Sequence, residues 1–287
     1  MIKFIVPAGH KEQKLRYFLA SYGKISTNLW RKIKWHGNIC INDNPVCAAN
    51  AFVKAGDIVT YDLNDNSSSI TPCQKPLDIV YEDEWLLIIN KPADLVIHPT
   101  SKIYKDTLVN IVAGYYLQTH KQAGCHPVYR LDRNTTGLII IAKQPQIQYY
   151  LSASHGRICR FYQAVVSGCP APKEAMLCMP IGRKPGSIIE RMVTPAGQPA
   201  LTRYKVLQTM PERSLITLQL YTGRTHQIRV HMAADGHPLL GDDLYGGDCA
   251  LISRQALHAS RLIFTHPMSG KNFDLSVPLP MDMRKLL

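Results

Sequence analysis

Asp132 stands between Arg130 and Arg133 in the stretch Val128-Tyr129-Arg130-Leu131-Asp132-Arg133-Asn134-Thr135-Thr136-Gly137. A carboxylate placed there can be a salt-bridge partner, a turn residue or a catalyst. Nearby positive charge favours the ionised form. In a basic groove such a group serves as a nucleophile or stabilises a cation. Arg133 to Gly137 can turn the chain and cap it through side-chain oxygens. On these residues alone a salt-bridged turn is the more ordinary role.

Three further stretches carry chemistry-bearing side chains. Thr222 to Gly246 clusters Arg224, His226, Arg229 and His231 just after a strand. A strand running through Thr-Gly into a basic helix start offers backbone N–H groups and guanidinium forks to a phosphate; a solvated basic helix is the plainer reading. Arg160-Phe161-Tyr162-Gln163-Ala164 alternates two aromatic rings on a β-like run, so the rings face opposite sides. A ring on a groove is a platform for an unstacked base; core packing is the more ordinary role for either ring. Asn90-Lys91-Pro92 leaves a strand, turns, and returns through His98-Pro99.

Composition narrows the partner. Lys plus Arg number 33 against 21 Asp plus Glu, a net charge of +12. Such an excess favours an acidic partner, most commonly nucleic acid. No apolar run approaches the roughly 18 residues of a membrane span. The N-terminus has no secretory pattern. Eight cysteines are scattered with no CxxC pair, which reads as reduced thiols in a cytoplasmic protein. His226 and His231 are five apart rather than four, and no metal site is expected.

The elements that must position these residues divide the chain. Leu15, Phe18, Leu19 and Tyr22 recur at helical spacing, and a second helix begins after Ser26 and carries Leu29, Trp30 and Ile33. Arg31, Lys32 and Lys34 give that helix a basic face. A turn at Asn42-Asp43-Asn44-Pro45 and a strand over 57–63 follow. Residues 1–62 thus read as two helices on a small sheet, with nine Lys/Arg against four Asp/Glu. Residues 63–76 have the Ser/Asn/Pro richness of a linker. From 77 to 287 strand-like runs dominate: 79–81, 85–89, 138–142, 161–168, 203–208 and 215–221. Helix-like stretches lie near 105–118, 144–155, 226–235 and 250–258. Without a strict βαβ rhythm, the spacing predicts an α+β fold around a mixed, largely antiparallel sheet.

Taken in order, the motifs resemble the RluA family of pseudouridine synthases. The pattern Arg-Leu-Asp, two variable residues, Thr, Ser or Thr, then Gly fits Arg130 to Gly137. The Tyr-bearing strand fits at Arg160 to Ala164, and the arginine motif at Gly223 to His231. Asn90-Lys91-Pro92 with His98-Pro99, Leu240-Gly241-Asp242 and Leu257-His258-Ala259 also fit. The similarity spans about 77 to 280. Residues 1–62 resemble the S-four RNA-binding domain in KLRYFLA, KIKWHG, ICINDNPV and VKAGDIVTYD. Two positions depart from the synthase pattern. Tyr129 stands where His is common, and Asp94 where Gly is common, although Asp tolerates a left-handed turn better than most residues.

The resemblance implies isomerisation of uridine to pseudouridine in RNA on the pseudouridine synthase fold, by a cytoplasmic monomer without cofactor or metal. It implies Asp132 as essential carboxylate, Arg224 as its ion-pair partner and Tyr162 as the ring against the target base. Arg130, Arg229, His98, Arg31, Lys32 and Lys34 would contact RNA. Ribosomal RNA of the large subunit is the first expected substrate and transfer RNA the second. The alternatives are a non-catalytic RNA-binding protein on this fold and a glycosylase using Asp132 with Glu190 or Asp242.

Overall fold

The computed structural model describes residues 2–23, 25, 27–48, 50–63, 70–99, 105–152 and 158–287. The first unit is a four-stranded antiparallel sheet, in the order Ile2–Ile5, Ile58–Leu63, Gly37–Ile41, Asn44–Pro45. Helices Leu15–Ser21 and Thr27–His36 accompany it. Leu15, Phe18 and Leu19 of the first helix and Leu29, Trp30 and Ile33 of the second are buried with Val59 and Tyr61. The expected apolar spacing thus faces this core, except that Tyr22 lies past the first helix and is exposed. Asn42 and Asp43 both take positive φ, as a two-residue hairpin turn requires. Ser26, expected to cap the second helix, lies outside the described residues.

The larger unit is built on a ten-stranded sheet. Its main path runs Glu174–Leu177, Thr202–Thr209, Arg213–Leu220, Ile158–Ser167, Leu257–Thr265, Thr136–Ala142, Leu86–Lys91, Ile79–Glu82. Asn272–Ser276 and His126–Pro127 pair off this path. The pairing of Thr136–Ala142 with Leu257–Thr265 is parallel and the others described in this sheet are antiparallel. This is the mixed, largely antiparallel α+β architecture expected.

The apolar runs Leu86–Ile89 and Leu138–Ala142 do not alternate with polar residues because both faces of the sheet are covered. Leu87, Ile89, Ile139 and Ile141 pack into one core with helix Leu108–Gln118 and with Ile228 and Met232. Leu86, Ile88, Leu138 and Ile140 pack into another with Ile147, Leu151, Phe264 and Phe273. Successive side chains of one strand therefore serve two cores.

Residues 250–258, expected to be helical, are irregular until Leu257, where the strand Leu257–Thr265 begins. Ile252, Arg254, Gln255 and Ala256 are buried, so local helical periodicity yields to tertiary contacts. Within the expected linker, Cys73 N–H donates to the Asn110 carbonyl, and Asn110 Nδ2 donates to the Thr71 carbonyl. Thr71 and Cys73 are thereby tied to helix Leu108–Gln118. No helix among the described residues is long and apolar enough to cross a membrane.

Candidate active site

Asp132 sits on the turn that enters the central strand Thr136–Ala142. Its carbonyl accepts from Thr135 N–H at 3.1 Å, closing the turn. Leu131 is buried in the core, which leaves Arg130 exposed and the Asp132 side chain partly exposed. Gly137 has φ 108°, and a Cβ there would lie 2.3 Å from the Ala259 carbonyl oxygen. Only glycine admits the parallel strand so close.

A buried lysine fixes this turn from below. Lys91 Nζ donates to the carbonyls of Pro92, Leu95 and Arg133 at 2.8, 3.0 and 2.9 Å. It joins the Asn90-Lys91-Pro92 turn to the residue after Asp132. Asp94 takes φ 59°, the left-handed conformation anticipated for it, and its carboxylate pairs with Arg133 Nε at 2.6 Å on the surface.

The ion-pair partner of Asp132 is Arg229 rather than Arg224. Arg229 Nη1 lies 3.2 Å from Asp132 Oδ2, while its Nε and Nη2 grip both oxygens of buried Asp242 at 2.7 Å. Arg229 is itself buried on helix Gln227–Ala234, so it is not free for the phosphate contact expected of it. Burial opposes its charge, but Asp242 and Asp132 outweigh this and raise its pKa. Arg224 is held elsewhere: its Nε donates to the Pro199 carbonyl at 3.0 Å and its Nη1 to Gln198 Oε1 at 2.7 Å. Both arginines were visible in one motif; the turn at 222–226 decides which of them points inward. The helix is buried along most of its length rather than forming a solvated basic face.

A cavity of about 340 Å³ opens at Asp132, lined also by Tyr129, Arg130, Arg160, Tyr162, Arg224 and His226, among others. A larger hollow of about 490 Å³ includes Asn90, His258, Pro278 and Arg284 but not Asp132. Tyr162 is buried and forms part of the cavity wall and the core at once. Around it the paired strand carries one extra residue: Phe161 pairs with Arg261 but Tyr162 with Ala259. Such a bulge re-aims side chains. Burial raises the Tyr162 phenol, Arg160 opposes this and Asp132 adds to it, so the hydroxyl stays protonated. Phe161 faces away, under the Arg261 guanidinium.

The rim is cationic. Arg130 donates to Thr225 Oγ1 at 3.3 Å, and Arg160 lies 5.4 Å from the centre of the Tyr129 ring. Exposed His98 is held below the usual histidine range by partial burial and by the Arg130 charge. Arg31 and Lys34 are exposed on helix Thr27–His36, where Lys34 Nζ lies 4.8 Å over the ring of exposed Trp35. The Lys32 side chain lies outside the described residues. Arg160, His226 and Tyr245 were not assigned from the sequence. Arg160 and His226 belong to the strand and arginine motifs, and Tyr245 lies near the end of the Thr222–Gly246 stretch, where no spacing ties it to His226. Asp242 and Glu190, weighed as a second acid, are instead paired with Arg229 and with Lys184.

The family model for RNA pseudouridylate synthase matches residues 85–234. The chain is 42% identical over 268 residues to the uncharacterized RNA pseudouridine synthase YjbO of Bacillus subtilis, covering 92% of this chain and 94% of that protein. It is 36% identical to the ribosomal large subunit pseudouridine synthase D of Escherichia coli strain K12, over 96% of this chain and 89% of that one. Among solved structures, human RNA pseudouridylate synthase domain containing 1 superposes with a TM-score of 0.56 at 25% identity, over 71% of this chain and 83% of that chain.

Proposed function

The chain belongs to the RNA pseudouridylate synthase family, and we propose that it isomerises a uridine of large-subunit ribosomal RNA with Asp132 as the reacting carboxylate. The observation that carries this is Asp132 at a cavity mouth, with one oxygen held by a buried arginine. The reaction breaks the bond from N1 to the sugar, turns the base and joins C5 to the same sugar carbon. The C5 proton is lost and N1 gains one, and no water is consumed. One carboxylate serves such chemistry, where a hydrolase commonly uses two.

Asp242 is occupied by the grip on Arg229, and this disfavours the glycosylase alternative. Arg229 orients Asp132 through a charge-assisted hydrogen bond. Tyr162 supplies a wall for the extruded base, and Arg130, Arg160 and Arg224, which line the same cavity, contact phosphates. Extrusion costs a few kcal/mol and is easiest in loops. Residues 1–62 act as an S-four-type RNA-binding domain through Arg31, Lys34 and Trp35, and the protein works in the cytoplasm. The large-subunit substrate follows the relatives named for it; transfer RNA is the alternative.

Asp132→Asn tests the chemistry. The variant should fold and bind RNA yet release no label from uridine C5; full release would remove Asp132 from the reaction. Mapping pseudouridines in ribosomal and transfer RNA from cells with and without the protein tests the substrate.

A further inference from the structure

We propose that His226 is a positioning residue for Asp132, its Nε2–H holding the carboxylate oxygen that Arg229 leaves free. This rests on Asp132 being the reacting carboxylate.

His226 occupies an unusual backbone position. It takes φ 57° and ψ 22° just before helix Gln227–Ala234. A side chain there is strained against the following carbonyl, and Gly or Asn is the ordinary occupant. The imidazole is nevertheless placed with care. Its side chain is only 12% exposed; Nδ1 lies 2.8 Å from the Tyr245 hydroxyl and Nε2 lies 3.9 Å from Asp132 Oδ1. Arg229 holds the other oxygen, Oδ2.

The tautomer follows from Tyr245. Arg191 backbone N–H, on the hairpin strand Arg191–Val193, donates to the Tyr245 oxygen at 3.0 Å. A phenol has one proton to give. Among the described residues the acceptor recorded for it is His226 Nδ1. If Nδ1 carried the proton instead, the phenol would receive two donors and give to none. Nδ1 is therefore the acceptor, and the neutral ring carries its hydrogen on Nε2, facing Asp132. Burial holds the imidazole below its usual range, which agrees with a neutral ring.

The gap of 3.9 Å exceeds a hydrogen bond, and catalytic contacts often tighten only when substrate binds. A closure of about 1 Å completes it. The same chain of contacts, from Arg191 through Tyr245 to His226, links the hairpin of Ile181–Arg183 and Arg191–Val193 to the carboxylate.

Two substitutions separate a donor role from a backbone role, because they rank oppositely. Gln places an amide N–H near the position of Nε2, but tolerates the left-handed backbone poorly. Asn accepts that backbone readily, but its amide falls short of Asp132. His226→Gln, His226→Asn, Tyr245→Phe, Tyr245→Phe with His226→Asn, and Asp132→Asn are compared by single-turnover release of label from uridine C5, by RNA affinity and by thermal unfolding. The expected result is that His226→Gln reacts about tenfold faster than His226→Asn, the worth of one hydrogen bond to a charged group. RNA affinity should change little in either. Tyr245→Phe should slow the parent but add almost nothing to His226→Asn, since both act through one donor.

His226→Asn matching or exceeding His226→Gln would overturn the proposal, leaving only a turn residue. If His226→Gln does not fold, the pairing of Tyr245→Phe with His226→Asn decides alone, and additive losses overturn it. Activity in Asp132→Asn would instead remove the reading on which the proposal rests.

Discussion

Arg229 Nη1 meets Asp132 Oδ2 at 3.2 Å across 97 residues of chain, while the same guanidinium holds both oxygens of Asp242. One buried cation thus serves two carboxylates, one structural and one at the cavity. Arg229→Ala should cost about 3–5 kcal/mol of stability, because it strands Asp242 without its partner. On the proposed role of Asp132, the rate should fall by more than about a hundredfold, since misplacing a reacting group by about 1 Å costs on that order. Arg224→Ala, which removes the hydrogen bonds to Gln198 and Pro199 and the proposed phosphate contact, should raise KM by a few-fold with kcat nearly unchanged. Thermal unfolding and steady-state kinetics check both; equal kcat losses would contradict the pairing of Arg229 with Asp132.

Lys91 anchors the turn that presents Asp132. Lys91→Met keeps the apolar stem but removes the donor to three carbonyls. A loss of about 2 kcal/mol is expected, since buried carbonyls left without their donor cost about 1–3 kcal/mol. The single-turnover rate should fall with RNA affinity intact. A rate equal to the parent's would show that the Arg133 carbonyl needs no such anchor.

Glu82 gives a pH dependence. Burial raises its pKa, but Lys121, Lys143 and Tyr115 outweigh this and hold it down at about 2, from an ordinary 4.5. A depressed folded pKa means that the unfolded chain binds the proton more readily. The stabilisation is present above pH 4.5 and is lost as pH falls towards 2. Its size is about 3 kcal/mol at neutral pH. Denaturant unfolding of the parent and Glu82→Gln between pH 7 and pH 2 should show their difference shrinking with acid; a constant difference would contradict this.

Arg31, Lys34 and Trp35 form an exposed basic and aromatic patch on the Thr27–His36 helix. Replacing all three with Ala should weaken RNA binding and reduce its salt dependence, by about 0.7 in the logarithmic slope for each phosphate of a single strand that is no longer neutralised. Affinity measured from low to moderate salt checks this. An unchanged slope would remove the helix from the RNA interface.

The motif order, the turn that carries Asp132 and the apolar strands are legible in the amino-acid sequence, because these depend on residue type, short spacing and period. Leu86–Ile89 and Leu138–Ala142 announce buried strands wherever they lie. The tertiary structure alone decided which arginine reaches Asp132. Arg224 and Arg229 are five residues apart in one motif, and the turn and helix between them send one to the rim and the other beneath the carboxylate. It also decided that 250–258 leads into a strand, since its buried surroundings outweigh local helical preference. Tyr245 joined the site by the same route. Its hydroxyl has meaning only where the Arg191 backbone and the His226 ring meet it, and no local spacing encodes that meeting.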